Sequence, residues 1–391
     1  METSSSRTWL SRTAAAWFAV GVAGQLLFAF SVAAFYGLSA GRGHWQSWNR
    51  FMTHGYVPDE AAGNGAVALH LVAATLVVIS GALQLVPQLR EKAPAIHRWN
   101  GRLYLSCAVL ASLAGLFMLW SRGAIGDASQ HAATTLNALL VLMFAAMTLR
   151  SALARDISQH RRWALRLYVV VLGVWFFRIA LALWLGVFGR PFGFDPTTFA
   201  GPALTAIAFA SFLIPLATVE MYWRATDRPS NGRRFAAAAV LVIATIATGL
   251  GAAGAGLGTW LPATRAAFDG REPVGDLLAG VIREEGVEAA VQRYRALKSS
   301  HPQQYNFDEE QLNRLGYKLL SAGQLPGAIR VFELNAEVYP ASSNVHDSLG
   351  EAFAASGDVA HAIASYRRAV ELDPANRGAV SILAKIERQA R

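Results

Sequence analysis

Four histidines and one arginine stand in or at the edge of apolar stretches of this 391-residue sequence, where an ionisable side chain is costly and usually has a partner. His70 and His131 each lie near the start of one such stretch. His97 and His160 follow 27 and 29 residues later, each just before another. The segment Arg98-Trp99-Asn100-Gly101-Arg102-Leu103-Tyr104 is matched by Arg162-Trp163-Ala164-Leu165-Arg166-Leu167-Tyr168 at Arg, Trp, Arg, Leu and Tyr. Two copies of one helical hairpin, packed as parallel repeats about an axis along the membrane normal, would set His70 against His131 near one surface and His97 against His160 near the other. Neutral imidazole is a metal ligand, and axial histidines hold b-type haem iron. Two stacked haems would then form an electron path through the bilayer. Arg98, Arg102, Arg161, Arg162 and Arg166 would neutralise the inner propionates, and Arg178, well inside its span, those of an outer haem. The plainer readings are interhelical hydrogen bonds for His70 and His131, interfacial residues for His97 and His160, and a snorkelling or paired arginine for Arg178.

The elements that must position these residues are long apolar helices. The chain is 53% hydrophobic and 16% charged, with a mean hydropathy of +0.30, which excludes a disordered chain and a purely water-soluble one. Seven runs of roughly twenty residues, the length that crosses a hydrocarbon core, lie at about 13–38, 66–86, 101–120, 131–149, 164–188, 198–223 and 235–260. The first follows Arg7 and Arg12 as a signal peptide would, but it is long and has no small-x-small cleavage pattern before Trp45, so it reads as a retained span. Lone Cys107 lies inside an apolar run and packs as a small hydrophobe.

The net charge of +9 does not point to nucleic acid, because the basic residues cluster in alternate loops. Arg7, Arg12, Arg90, Lys92, Arg98, Arg102, Arg150, Arg155, Arg161, Arg162, Arg166, Arg224, Arg228, Arg233 and Arg234 fall on one side. Only Arg42, Arg50, Arg122 and Arg190 fall on the other. The positive-inside rule makes the first side cytoplasmic, and seven crossings put everything after Trp260 outside, which for a bacterial inner membrane is the periplasm. Glu220 reads as an ion pair with Arg224, one turn on.

The span pattern together with His97–Tyr104 and His160–Tyr168 resembles the bacterial predicted membrane proteins of domain-of-unknown-function family 2306, over roughly residues 50–190. That resemblance implies a multi-span core and no established reaction. One histidine on each of four successive helices is also similar to the dihaem cytochromes of the b-561 family. By that resemblance His70 and His131 ligate one haem b, and His97 and His160 the other. The sequence departs from the pattern in that His97 and His160 sit at span ends.

Beyond Pro262–Pro273 the composition turns charged and Ala-rich, and a 34-residue period emerges. Leu315-Gly316, Gly323, Ala328, Phe332 and Pro340 recur as Leu349-Gly350, Gly357, Ala362, Tyr366 and Pro374. Small residues let two helices of a unit approach, the aromatic fills the gap, and proline ends the second helix. This resembles the tetratricopeptide repeat family, with a degenerate earlier unit at Ala290, Tyr294, Leu297 and Pro302 and a capping helix over 378–390. Such repeats imply a groove for a protein or peptide partner.

The fold class is therefore all-α: a polytopic membrane bundle of about seven spans over 1–262, with a tandem two-helix repeat at about 66–188, a linker over 263–274, and a soluble tetratricopeptide-type solenoid over 275–391. No hydrolytic or transferase site is visible in the sequence. Two functions are open: a dihaem b transmembrane electron carrier, a membrane oxidoreductase component, with a periplasmic docking domain; or a non-redox scaffold or sensor whose spans anchor that domain. The bilayer is a partner under both.

Overall fold

In a computed structural model, which describes residues 2–52, 54–196 and 198–389, the chain divides into two compact units, Met1–Gly270 and Arg271–Arg391. In the first, ten α-helices follow one another among the described residues: α1 (Glu2–Gly41), α2 (Ala61–Gln84), α3 (Pro87–Lys92), α4 (Pro94–Phe117), α5 (Ala128–Leu153), α6 (Ile157–Val171), α7 (Gly173–Phe188), α8 (Pro202–Asp227), α9 (Asn231–Ala255) and α10 (Leu261–Asp269).

The helix starts are written locally. Pro94 and Pro202 occupy first-turn positions that need no N–H. Asp127, Asp156 and Ser230 cap α5, α6 and α9 by accepting from the backbone N–H groups of Gln130, Gln159 and Arg233. The Gln130 N–H, first among its causes, holds the Asp127 carboxyl below the usual range.

Among the described residues, six helical stretches are long and apolar enough to cross a bilayer: Ser5–Gly41, Ala61–Gln84, Pro94–Gly123, Ala128–Leu153, Pro202–Asp227 and Asn231–Asp269. The pair α6 and α7, bent by 50° at Leu172, qualifies together as a seventh. Large apolar side chains on these helices point away from the protein, among them Val72, Ile214, Ile243 and Leu257, and such a surface is stable only against lipid. The buried seams are small instead. Along α4, Cys107, Ala108, Ala111 and Ala114 are buried, which lets α2 pack closely against it. This is an integral membrane protein.

Two expectations change here. The stretch 263–274, expected as a linker, is largely helical: α9 continues through a π-helical turn at Gly256–Trp260 into α10, which ends in the left-handed Gly270. The expected fifth span, 164–188, is two helices. At the break Asn137 donates from Nδ2 to the Val170 carbonyl (3.0 Å).

In the second unit the helices are α11 (Val274–Glu285), α12 (Val287–Ser300), α13 (Glu309–Ser321), α14 (Leu325–Val338), α15 (Ser343–Ser356), α16 (Val359–Leu372) and α17 (Arg377–Gln389). Residue 390 of the expected capping helix lies outside the described residues. A two-residue parallel pairing, β1 (Glu272–Pro273) with β2 (Tyr305–Asn306), ties the start of the unit to the segment before α13. Val274, Leu278, Tyr294, Leu312, Leu315, Phe332 and Leu349 fall in one continuous core, so the apolar stripes of successive helices are buried against one another. A Cβ on Gly316 would come within 2.6 Å of the Phe332 ring, and one on Gly350 within 3.0 Å of Tyr366. The same glycine and aromatic thus meet twice, 34 residues apart, and burial lifts the Tyr366 hydroxyl to about 12.

Candidate functional site

The polar groups of the membrane unit gather around the tandem repeat. Tyr104 and Tyr168, equivalent in the two copies, converge on Gly81: a Cβ there would stand 2.9 Å from Tyr104 and 3.3 Å from Tyr168. The aromatic-basic stack recurs too, with the Arg102 guanidinium 4.7 Å from the Trp99 ring centre and Arg166 4.6 Å from Trp163. Tyr168 continues into a buried hydrogen bond to Gln25 on α1 (2.9 Å). These two residues border a cavity of about 250 Å³ whose walls include Trp17, Phe18 and Tyr222.

A second cavity, of about 180 Å³, lies among five spans. Phe28, Val32 and Tyr36 of α1, His70 and Ala74 of α2, Ser112 and Gly115 of α4, Thr134 and Asn137 of α5, and Trp175 and Arg178 of α7 form its wall. His70 is held by a hydrogen bond from Nδ1 to the Ala111 carbonyl (2.8 Å). Arg178 follows the α6/α7 bend by two turns. Its Nε is buried without a hydrogen-bond partner, and its guanidinium lies 5.6 Å from the Phe28 ring centre.

His131 is not on this wall. Its Nε2 faces the Ala124 carbonyl (3.2 Å), and its ring meets Trp120 edge-on. The physical reason is register. The motif repeats with a step of 64, Arg98 to Arg162, while His70 and His131 are 61 apart. A step of 64 from His70 reaches Thr134, which does line the cavity. Three residues short is nearly one turn, about 4.5 Å along the helix.

The outer haem reading therefore does not fit. One of its two histidines spends its Nε2 on a carbonyl elsewhere, and a cavity near 180 Å³ takes a single six-membered ring, given that about 150 Å³ accepts benzene, rather than a four-pyrrole macrocycle. Two of the five arginines assigned to inner propionates are already engaged. Arg162 forms a two-pronged pair with Asp227 (2.6 and 2.7 Å) and stacks on Trp223. Arg166 pairs with Glu220 (2.5 and 3.1 Å). Glu220 is thus the partner of Arg166 on a neighbouring helix, not of Arg224 on its own. Arg98 and Arg102 are exposed.

Of the inner pair, each histidine is near enough for the charge of the other to act on it. His160 is oriented by the Thr148 carbonyl through Nδ1 (3.0 Å), and His97 leaves a buried Nδ1 without a partner.

The sequence reading also missed Arg122. In the sequence it stands only as an outer loop charge, yet its side chain is 3% exposed and pairs with Glu60 (3.0 Å) and Asn64 (3.0 Å). Gly63, one turn before Val67, leaves the room it occupies.

A helical bundle with lipid-facing apolar surfaces and a buried polar seam defines a polytopic membrane protein. Residues 67–214, from within α2 to within α8, match a family described as predicted membrane protein (DUF2306). No curated protein matches the chain.

Proposed function

We propose that the chain is a membrane-anchored docking protein, in which the spans hold a tetratricopeptide-type domain outside the bilayer, where it receives a protein or peptide partner. The observation that carries this reading is the recurrence of Gly316 against Phe332 as Gly350 against Tyr366, the small-on-aromatic contact that lets repeat helices stack into a grooved solenoid. A second feature points the same way. Asn313 on α13 and Asp347 on α15 are 34 residues apart, and each has a buried side-chain oxygen with no partner. Unpaired acceptors repeated along first helices suit the N–H groups of an extended peptide. The loop charges orient the N-terminus to the cytoplasm and the docking domain to the periplasm of a bacterial inner membrane.

The test is a photo-cross-linking residue at position 313 of the full chain in intact membranes. Discrete adducts that disappear when Asp347 is replaced by Lys support the reading. A chain that gives no adduct from position 313, or adducts indifferent to Asp347, removes it.

A second reading rests on the inner histidines: His97, with its unpartnered Nδ1, beside His160 would hold a single b-type haem for electron transfer. The visible spectrum of detergent-purified protein separates the two. A reducible Soret band lost in both His97→Ala and His160→Ala supports the haem; a colourless preparation from haem-replete cells excludes it.

A further inference from the structure

We propose that the cavity beside Arg178 is a binding site for a hydrophobic monocarboxylate. The argument begins with the cost of the arginine. A guanidinium ten residues from the outer end of α7 lies about 15 Å deep, where hydrocarbon surrounds the bundle. A charge at such depth is expensive and persists where an opposite charge or a polar cavity receives it.

The other inward arginines of this unit satisfy that rule within the chain: Arg122 with Glu60, Arg162 with Asp227 and Arg166 with Glu220. Arg178 has no carboxylate partner among the described residues, and its Nε has no hydrogen-bond acceptor. The interior supplies the cation and the space but not the anion. The missing anion is one that enters.

The cavity sets the rest of the ligand. At about 180 Å³ it has room for one ring or a short chain beyond the head group. Apart from Tyr36, His70, Asn137 and Arg178, its wall is built mainly of aliphatic and aromatic side chains. His70 keeps its ring against the Ala111 carbonyl, and the Asn137 amide is committed to Val170, so neither competes with Arg178 for a second anion. A carboxylate offers two oxygens to the planar fork of an arginine, and an apolar tail replaces empty volume with contacts. This inference does not depend on the docking domain.

The experiment uses the full chain in detergent micelles and equilibrium dialysis with radiolabelled benzoate and octanoate, each against its neutral amide, and with palmitate as competitor. Saturable binding of a carboxylate at least tenfold tighter than its amide is expected. Arg178→Gln should abolish it. Ala74→Leu, which fills the cavity and leaves the arginine in place, should weaken it at least tenfold while the thermal transition persists, so the two variants separate loss of the site from loss of the fold. Palmitate, too long for the cavity, should not compete, and competition by palmitate would overturn the assignment of the ligand to this cavity. Equal binding of acid and amide, binding unchanged in Arg178→Gln, or no saturable binding overturns it.

Discussion

The ring of Phe332 occupies the place a side chain on Gly316 would need, with 2.6 Å between that Cβ and the ring edge. Both residues lie in the core of the second unit, and Phe332 is fully buried, so the ring has nowhere to retreat. Gly316→Leu should destabilise residues 271–391 by about 1–3 kcal/mol through overpacking. Gly350→Ala, where the approach to Tyr366 is 3.0 Å, should cost less. Thermal melts of the domain followed by circular dichroism check the order; equal stabilities would remove the packing argument.

Asp347 gives the same domain a pH signature. Burial first, and the Glu351 carboxylate second, push its carboxyl above the ordinary 3.8. A folded-state value above the unfolded one means the folded form binds the proton more readily. Stability from this group is then fully present below pH 3.8 and is lost as pH rises through the raised folded value. Asp347→Asn should therefore stabilise at pH 7, and its advantage should vanish towards pH 3. Paired denaturation curves across that range measure it, and an advantage independent of pH would contradict the assignment.

The Arg166 and Glu220 side chains join α6 to α8 with both partners partly shielded, 17% and 34% exposed. Removing one leaves a charge near the membrane with no partner. Arg166→Ala should lower stability by about 1.5–3 kcal/mol, as loss of a charged hydrogen-bonded partner does. Arg224→Ala should do little, because Glu220 is engaged elsewhere. A double-mutant cycle on Arg166 and Glu220, read by thermal unfolding in detergent, should show coupling that the Arg224 and Glu220 cycle lacks.

At the bend, a Cβ on Gly173 would stand 2.6 Å from the Asn137 amide nitrogen. Gly173→Ala should expel that amide and leave the Val170 carbonyl without it, at about 1–3 kcal/mol. Adding Asn137→Ser to Gly173→Ala should recover part of the loss by making room. A double variant less stable than the single one would count against the contact.

Much of the architecture is legible in the residues. Hydropathy locates the spans because lipid demands continuous apolar helices, and the period of 34 locates the second unit because each repeat must bury the same faces. The convergence of Tyr104 and Tyr168 on Gly81 follows from the same internal repeat. The site was harder. His131 looks equivalent to His70 by residue type, but its register is three residues short, which displaces it by nearly one turn, about 4.5 Å, along the helix axis. The pairing of Glu220 with Arg166 depends on which helices are neighbours, which local spacing does not encode. The break at Leu172 has no proline to announce it; Gly173 and a polar residue 36 positions earlier make it together.

That break decides a matter of addressing. If α6 and α7 traverse the bilayer as one path, the chain makes an odd number of passes and its ends part company across the membrane; if they dip in and return, the number is even and the ends share a compartment. Sidedness of the distal helices is thus settled some hundred residues before they begin.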